Sequence, residues 1–308
     1  MPHLFRLRAF TILIATLCAV GFSACEDEDI LNPEEIITEC NQGVSAVRKV
    51  LFIGIDGCRT DALIAAASHA IDSLMAHGYV NLHCDRGPYT VSAPGWSTLL
   101  HGVYPDKHGV TSNDFTGREY GIYFDLFKYL RAANSEYSLA TVSHWDNFLR
   151  ITTNEDYAQP VGSDMEVKTQ AIYLLQSCTP DVLLLHFDDV DHTGHDSGFS
   201  PDNAAYIASI QVTGVHIADI MEAIEQREQN LGEEWMVVVV TDHGGVGTSH
   251  GDQNNEDVTR YVFSIVRLPG IARVDVPVAS NVDIMPTILD YMNVPIDANW
   301  DLDGVSLF

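Results

Sequence analysis

Six side chains with metal-binding chemistry stand at defined points of the chain: Asp56, Asp191, His195, Asp242, His243 and His250. Asp56-Gly57 closes an apolar run, and Asp242-His243-Gly244-Gly245 closes another that contains four consecutive valines. Glycines there let backbone approach an ion or ligand closely. In Asp191-His192-Thr193-Gly194-His195 a carboxylate and an imidazole are four residues apart, so a helical turn would put them on one face to grip one ion. Taken singly, Asp56 reads as a turn residue and His250 as a structural histidine; the weight lies in the set. Three Asp and three His make a mixed oxygen and nitrogen donor set that suits zinc, with manganese or iron as alternatives.

A hydroxyl stands in a second suggestive context. Thr90-Val91-Ser92-Ala93-Pro94-Gly95-Trp96 precedes a short helical pattern that ends near Gly102, and Pro94 fits a first helical turn. Ser92 then sits at a helix N-terminus, where backbone N–H groups favour an anion. Read locally, the same serine is a helix cap, and Asn113 in Ser-Asn-Asp is an ordinary loop residue.

The elements that must hold these residues read as alternating strands and helices. Val50–Ile55, Tyr137–Val142, Asp181–Phe187, Trp235–Thr241 and Val262–Val266 have strand character. Asp61–Met75 reads as one helix. Ser163 and Glu166 form a capping-box pattern before Val167–Leu175. Tyr206, Ile210, Ile217, Met221 and Ile224 share a helical face, and Asp283 is placed to cap a helix running to about Tyr291. This alternation predicts an α/β fold with a mostly parallel sheet and helices on both faces. Ligands of such sheets bind at the carboxyl ends of the strands, which is where Asp56, Asp191 and Asp242 fall.

The formal charge of −27 over 308 residues argues against a nucleic-acid polymer as partner. It also means that an anionic ligand needs local positive charge, which a metal pair would supply. Arg6 and Arg8 precede the apolar run Ala9–Phe22, followed by Ser23-Ala24-Cys25. That layout is an export signal over residues 1–24. Small residues before Cys25 resemble a bacterial lipoprotein processing site, with a lipid on Cys25 as membrane anchor. The acidic tether 25–46 follows, then one domain over 47–308. The expected location is the outer membrane or cell surface, with the periplasm as alternative. Cys40, Cys58, Cys84 and Cys178 allow three pairings, and sequence does not choose among them.

Read together, the motifs resemble the alkaline phosphatase superfamily, in particular its type I phosphodiesterase/nucleotide pyrophosphatase branch. The likeness rests on Phe52-Ile53-Gly54-Ile55-Asp56-Gly57, Ser92-Ala93-Pro94-Gly95, Gly102-Val103-Tyr104-Pro105-Asp106-Lys107-His108-Gly109, Asp191-His192-Thr193-Gly194-His195, Thr241-Asp242-His243-Gly244, Ser249-His250-Gly251, the stretch Asp283–Leu289 and Asp303-Gly304. It implies an alkaline phosphatase-like three-layer sandwich and a two-metal hydrolase of phosphate esters. Asp191, His195 and His250 would hold one divalent ion, and Asp56, Asp242 and His243 a second that also touches Ser92. Ser92 would be the nucleophile, and Asn113 would donate to a nonbridging phosphoryl oxygen of a small phosphate-ester or nucleotide substrate.

The chain departs from that pattern in places. Diesterases of this branch commonly carry Thr where Ser92 stands and Asn where Gly95 stands. The sulfatase motif, whose Cys or Ser becomes formylglycine, needs Arg in place of Trp96. Monoesterases use Arg or a Lys-x-Arg pair on the extra phosphoryl charge, and this chain has no Lys-x-Arg; Arg118, Arg131 and Arg150 are the arginines a fold would have to bring in. The expected order is therefore diester or nucleotide pyrophosphate hydrolysis, then phosphomonoester, then sulfate or phosphonate ester. A phosphoglycerate mutase relative or a non-enzymatic binding lipoprotein is disfavoured.

Overall fold

The structure is a computed structural model and describes residues 47–251 and 256–308. The export signal, Cys25, the acidic tether and Cys40 lie outside the described residues. Eight strands form one sheet: β1 (Arg48–Ile55), β2 (Tyr79–Asp85), β3 (Leu139–Ser143), β4 (Tyr157–Pro160), β5 (Val182–Phe187), β6 (Glu234–Val240), β7 (Tyr261–Arg267) and β8 (Val274–Asp275). Their order across the sheet is β4-β3-β5-β1-β6-β7-β2-β8. Every pairing is parallel except those of β7 with β6 and with β2. The central strands are buried on both faces, which is why they read as unbroken apolar runs.

Alternation along β1 divides the core. Leu51, Ile53 and Ile55 pack under α1 (Thr60–Ala66), α2 (His69–Met75), α5 (Asp164–Ser177) and the long α7 (Ala204–Leu231). Val50 and Phe52 face α3 (Ser92–His101), α4 (Leu126–Ala133) and α8 (Ile284–Tyr291). The layers are helix, sheet, helix, as predicted. The Tyr206, Ile210, Ile217, Met221 and Ile224 face of α7 is buried as its spacing implies.

Three local expectations change. The helix expected over Asp61–Met75 is two helices, because Ala67 adopts a left-handed conformation (φ 47°) that caps the first. Ser163 does accept the Glu166 N–H, but the Glu166 carboxylate returns to Gly162 rather than to Ser163. Asp283 does not cap α8 with its side chain. It pairs with Ser280 in a reciprocal box on the preceding turn and also accepts Val305 N–H. The closing segment in turn grips the Gly102–Lys107 stretch: Asp303 accepts Tyr104 N–H and pairs with Lys107. Among the cysteines, Cys58 and Cys84 are free and buried, and Cys178 is disulfide-bonded.

At the end of the sheet opposite the candidate site, Lys49 is fully buried. Its Nζ donates to Asp181 Oδ1 at 2.8 Å, with Glu233 at 3.8 Å. Removing one member of a buried ion pair leaves the other charge desolvated and unopposed. Lys49→Met is therefore expected to lower the unfolding free energy by about 3–5 kcal/mol, measured by urea denaturation. An unchanged midpoint would mean the pair contributes nothing.

Candidate functional site

The carboxyl ends of β1, β5 and β6 meet at one rim of the sheet. Asp56 follows β1 directly, Asp242 stands two residues after β6, and α6 (Asp189–Ser197) leaves β5 carrying Asp191 and His195. Parallel pairing in register brings these ends together: Ile55 lies beside Phe187 and Gly54 beside Val240. The antiparallel β7 returns beside β6, so the loop between them, with Asp242, His243 and His250, stays on the same rim.

All six predicted metal-ligating residues converge there. His243 Nε2 lies 3.3 Å from Asp242 Oδ2 and 3.5 Å from Asp56 Oδ1. His195 Nε2 lies 3.3 Å from Asp191 Oδ2 and 3.0 Å from His250 Nε2, which is 3.7 Å from Asp191 Oδ1. The His243 and His250 rings stack at 3.9 Å, joining the two groups. Asp56, Asp242 and His243 offer donor atoms within 4.8 Å of one another, and so do Asp191, His243 and His250. Close approach depends on two glycines. A Cβ on Gly57, which has φ 63°, would lie 2.3 Å from Asp191 Oδ1, and a Cβ on Gly95 would lie 2.8 Å from Asp242 Cβ. Gly95 thus has a packing reason to lack a side chain: α3 runs directly against Asp242.

The donor set fits divalent cations. Asp56 Oδ1, Asp191 Oδ1 and Asp242 Oδ2 are buried without a hydrogen-bond partner, a costly state for anionic oxygens unless a cation faces them. Each histidine is committed to one tautomer by a carbonyl, which can only accept. Nδ1 of His195 donates to Thr248, that of His243 to Gly244 and that of His250 to Thr90. The Nε2 atoms are left as the metal-facing donors, the arrangement typical of ligating imidazoles. With Nδ1 protonated, the lone pairs of His195 and His250 would confront each other at 3.0 Å, and a cation or proton between them removes that repulsion.

The electrostatics record the same crowding. Burial, then the charges of Asp56 and Asp191, push Asp242 well above the usual carboxylate range. Burial chiefly raises Asp191 as well. Asp56 also suffers burial, but the His186 hydrogen bond, the His243 and His186 charges and the Trp96 hydrogen bond outweigh it and hold its carboxyl low. His186 Nε2 donates to Asp56 Oδ2 at 3.0 Å and Trp96 Nε1 donates to the same oxygen at 2.9 Å. Neither was picked out as functional from sequence. His186 sits within an apolar strand and reads as core, and Trp96 registers only as the residue standing where sulfatases have Arg.

Ser92 is the first residue of α3, and Val91 is its N-cap. The capping role suggested by local sequence is therefore not the one Ser92 plays. Its buried Oγ lies 3.4 Å from His243 Nε2. Asn113, from an exposed loop, accepts the Ala93 N–H through Oδ1 at 2.9 Å. That bond ties the Asn113 side-chain amide to the residue next to Ser92. Arg131 is engaged elsewhere, with Asp156 and loop carbonyls, and Arg150 lies over Phe115. Arg86, a cation missed in the sequence, is buried close enough to feel the Asp242 charge and is anchored on the Thr259 and Gly87 carbonyls.

One titration follows. Its hydrogen bond to Asp191 raises His195 to about 9. A group raised in the folded state adds stability that is present below its ordinary pKa near 6.5 and is lost as pH rises through about 9. In chelator-treated protein the His195 ring protons should titrate by NMR with a midpoint near 9. Zinc should abolish that step, because a metal displaces the proton. A midpoint near 6.5 without metal would contradict the Asp191 pairing.

The type I phosphodiesterase / nucleotide pyrophosphatase family matches residues 50–147 and 128–266. Rat ectonucleotide pyrophosphatase/phosphodiesterase family member 3 is 23% identical over 238 residues, 68% of this chain; the chain spans only 26% of that relative's length. Among solved structures, an inactive murine ectonucleotide pyrophosphatase/phosphodiesterase 5 in complex with AMP superposes with a TM-score of 0.64 at 15% identity, covering 83% of this chain and 99% of that one. A 2-O GAG sulfatase gives a TM-score of 0.68 at 17% identity, covering 84% and 73%. At such identities the structural likenesses speak for the fold alone, and it is the family match over residues 50–147 and 128–266 that makes this chain a member of the type I phosphodiesterase / nucleotide pyrophosphatase family.

Proposed function

We propose that the chain hydrolyses phosphodiesters or nucleotide pyrophosphates with Ser92 as nucleophile and two divalent cations, zinc by preference, as cofactors. The observation that carries this reading is the place of the Ser92 hydroxyl: at the start of α3, 3.4 Å from His243 Nε2, beside buried carboxylate oxygens that lack partners. In the proposed assignment Asp191, His195 and His250 hold one cation, and Asp56, Asp242 and His243 the other. When bound, such ions supply positive charge that acidifies a hydroxyl and offsets charge on a leaving oxygen.

Ser92 Oγ then bonds to phosphorus as the bond to the leaving oxygen breaks. Water takes the place of the leaving group and cleaves the phosphoseryl bond, regenerating the hydroxyl. The 3.4 Å approach of Ser92 Oγ to His243 Nε2 sets the hydroxyl beside the position that the second cation would take. Of the first backbone nitrogens of α3, that of Ala93 donates to Asn113, Pro94 carries no hydrogen and that of Gly95 donates to Val91, which leaves the Ser92 N–H for a phosphoryl oxygen. Asn113, oriented by the Ala93 N–H, offers its amide nitrogen to a nonbridging oxygen. Trp96 and His186 keep Asp56 ionised and in position. A nucleotide substrate accords with the AMP found in the murine relative, and the absence of Lys-x-Arg in this chain favours a diester over a monoester.

The test is parallel kinetics on bis-p-nitrophenyl phosphate, p-nitrophenyl phosphate and p-nitrophenyl sulfate. The diester is expected to be turned over fastest. Ser92→Ala should abolish metal-dependent turnover, and Asn113→Ala should lower kcat by about 100–1,000-fold, in line with the loss of one charge-stabilising donor. A monoester preferred by orders of magnitude, or turnover surviving in Ser92→Ala, sinks the reading.

We also read the chain as an exported lipoprotein anchored through Cys25, with its catalytic domain outside the cytoplasm. Labelled palmitate should enter the wild type but not Cys25→Ser; equal labelling of both would remove the anchor.

A further inference from the structure

Helix α6 carries the same carboxylate–imidazole spacing twice. Asp191 and His195 form one pair; Asp188, at the N-cap of α6, and His192 form another. In both pairs the imidazole Nε2 lies at nearly one distance from the carboxylate, 3.3 Å in the first and 3.2 Å in the second. The first pair belongs to the site above. The second has no part in it.

A third donor meets the second pair from the neighbouring strand. His144 follows β3, whose last residue, Ser143, lies beside His186 of β5 in parallel register. Its Nδ1 is held by Asp164 Oδ1 at 3.0 Å. Asp164 is itself fully buried and pinned by the N–H groups of Asp188 and Asp189. A carboxylate that takes the Nδ1 proton leaves Nε2 as a lone pair in a fixed direction, as in carboxylate–histidine–zinc arrangements. His144, Asp188 and His192 offer donor atoms within 4.8 Å of one another. The Asp188–His192 separation of 3.2 Å is already close to the roughly 3.4 Å between two ligands of a tetrahedral ion bonded at about 2.0–2.1 Å.

Asp188 is buried, and beside it stands His186, fully buried with Nδ1 lacking any hydrogen-bond partner. A donor atom of His186, one of Asp56 and one of Asp188 also fall within 4.8 Å of one another. The Asp188 carboxylate therefore lies between the two-cation rim and the His144–His192 pair.

We infer that His144, Asp188 and His192 form a third cation site, separate from the six rim ligands and suited to a divalent transition metal such as zinc. Two imidazole nitrogens and one carboxylate oxygen are a three-ligand set that leaves a fourth position to water. The site places positive charge against Asp188, on the far side of that carboxylate from Asp56 in the chain of contacts, and so relieves part of the crowding of acidic groups.

The test is zinc content by mass spectrometry after equilibration of the full chain with Zn2+ and gel filtration. Wild type is expected to hold three zinc ions per chain, and His144→Ala and His192→Ala two each. His250→Ala should lose zinc from the rim while keeping the ion that His144→Ala loses. His192 is mostly exposed, so its variant should fold, and a circular dichroism melt checks this. Anomalous scattering at the zinc edge should give a peak between the His144 and His192 rings. Saturation of wild type at two ions, with both variants also at two, overturns the site. A wild type whose only zinc is lost in His144→Ala and His192→Ala would instead sink the two-cation reading and keep this one.

Discussion

Three buried carboxylates at one rim of the sheet, Asp56, Asp191 and Asp242, are the constraint that the surrounding structure accommodates. Each faces both desolvation and its neighbours' charge. The protein offsets this most fully for Asp56, through the indole N–H of Trp96 and the imidazole N–H of His186, and in part for Asp191, whose Oδ2 meets His195 Nε2 at 3.3 Å. Asp242 receives one weak donor, the Gly57 N–H at 3.3 Å. Asp56 Oδ1, Asp191 Oδ1 and Asp242 Oδ2 have no hydrogen-bond partner, and the three histidines have their Nδ1 atoms occupied by carbonyls. A polypeptide that wanted only stability would fill this space with apolar side chains, since a buried charge cluster is worth less than packing. The cluster makes physical sense as a site completed by cations.

Topology makes such crowding possible. Parallel strands deliver their carboxyl ends to one edge, so residues more than a hundred positions apart arrive together without any long loop having to be ordered. The single reversal, at β7, adds to this. Because β7 runs back beside β6, the connection that carries Asp242, His243 and His250 is a return loop at the same edge and not a crossover to the opposite one. The far edge is free to be fixed by other means, and Lys49, Asp181 and Glu233 occupy it.

Much of this was legible in the sequence, and the gaps have definite causes. The continuous apolar runs gave β1, β5, β6 and β7, and their order gave the layered sheet. β2, β4 and β8 were not read, because their exposure is mixed or their length is two to four residues in the latter pair. One helix was read across Ala67, since nothing in an Ala-rich stretch announces a left-handed residue. The six rim residues were legible as a set, because Asp and His recurring in order after apolar runs point to one site even though Asp56 and His250 alone do not. His186 and Trp96 were missed for the opposite reason. Embedded among large apolar residues, each looks like core, and only the hydrogen bonds to Asp56 distinguish them. Asp188 and His192 lay in plain view within the same motif as Asp191 and His195, and what they lacked was a third partner, which depends on β3 lying next to β5.

The overall charge of the chain sharpens what the rim must do. At −27, the protein repels an anionic ligand at long range, and among the described residues the buried cation nearest in effect to Asp242 is Arg86, itself held by backbone carbonyls. Without metal, a phosphate group approaching Ser92 would meet three carboxylates and only the partial positive charge of the α3 N-terminus, which is about half an elementary charge. Binding of cation and of anionic substrate must then be linked: each is more favourable with the other present, and the linkage is reciprocal. The acidic surface and the cation-dependent rim thus act together as a filter. Under the proposed function a phosphate ester would gain nothing by lingering on the surface, where charge opposes it, and would be held only where the cations are. Under this logic a basic residue introduced near Ser92 would strengthen ligand binding to the metal-free protein and weaken the dependence of binding on metal, since it would supply permanently what the cations supply conditionally.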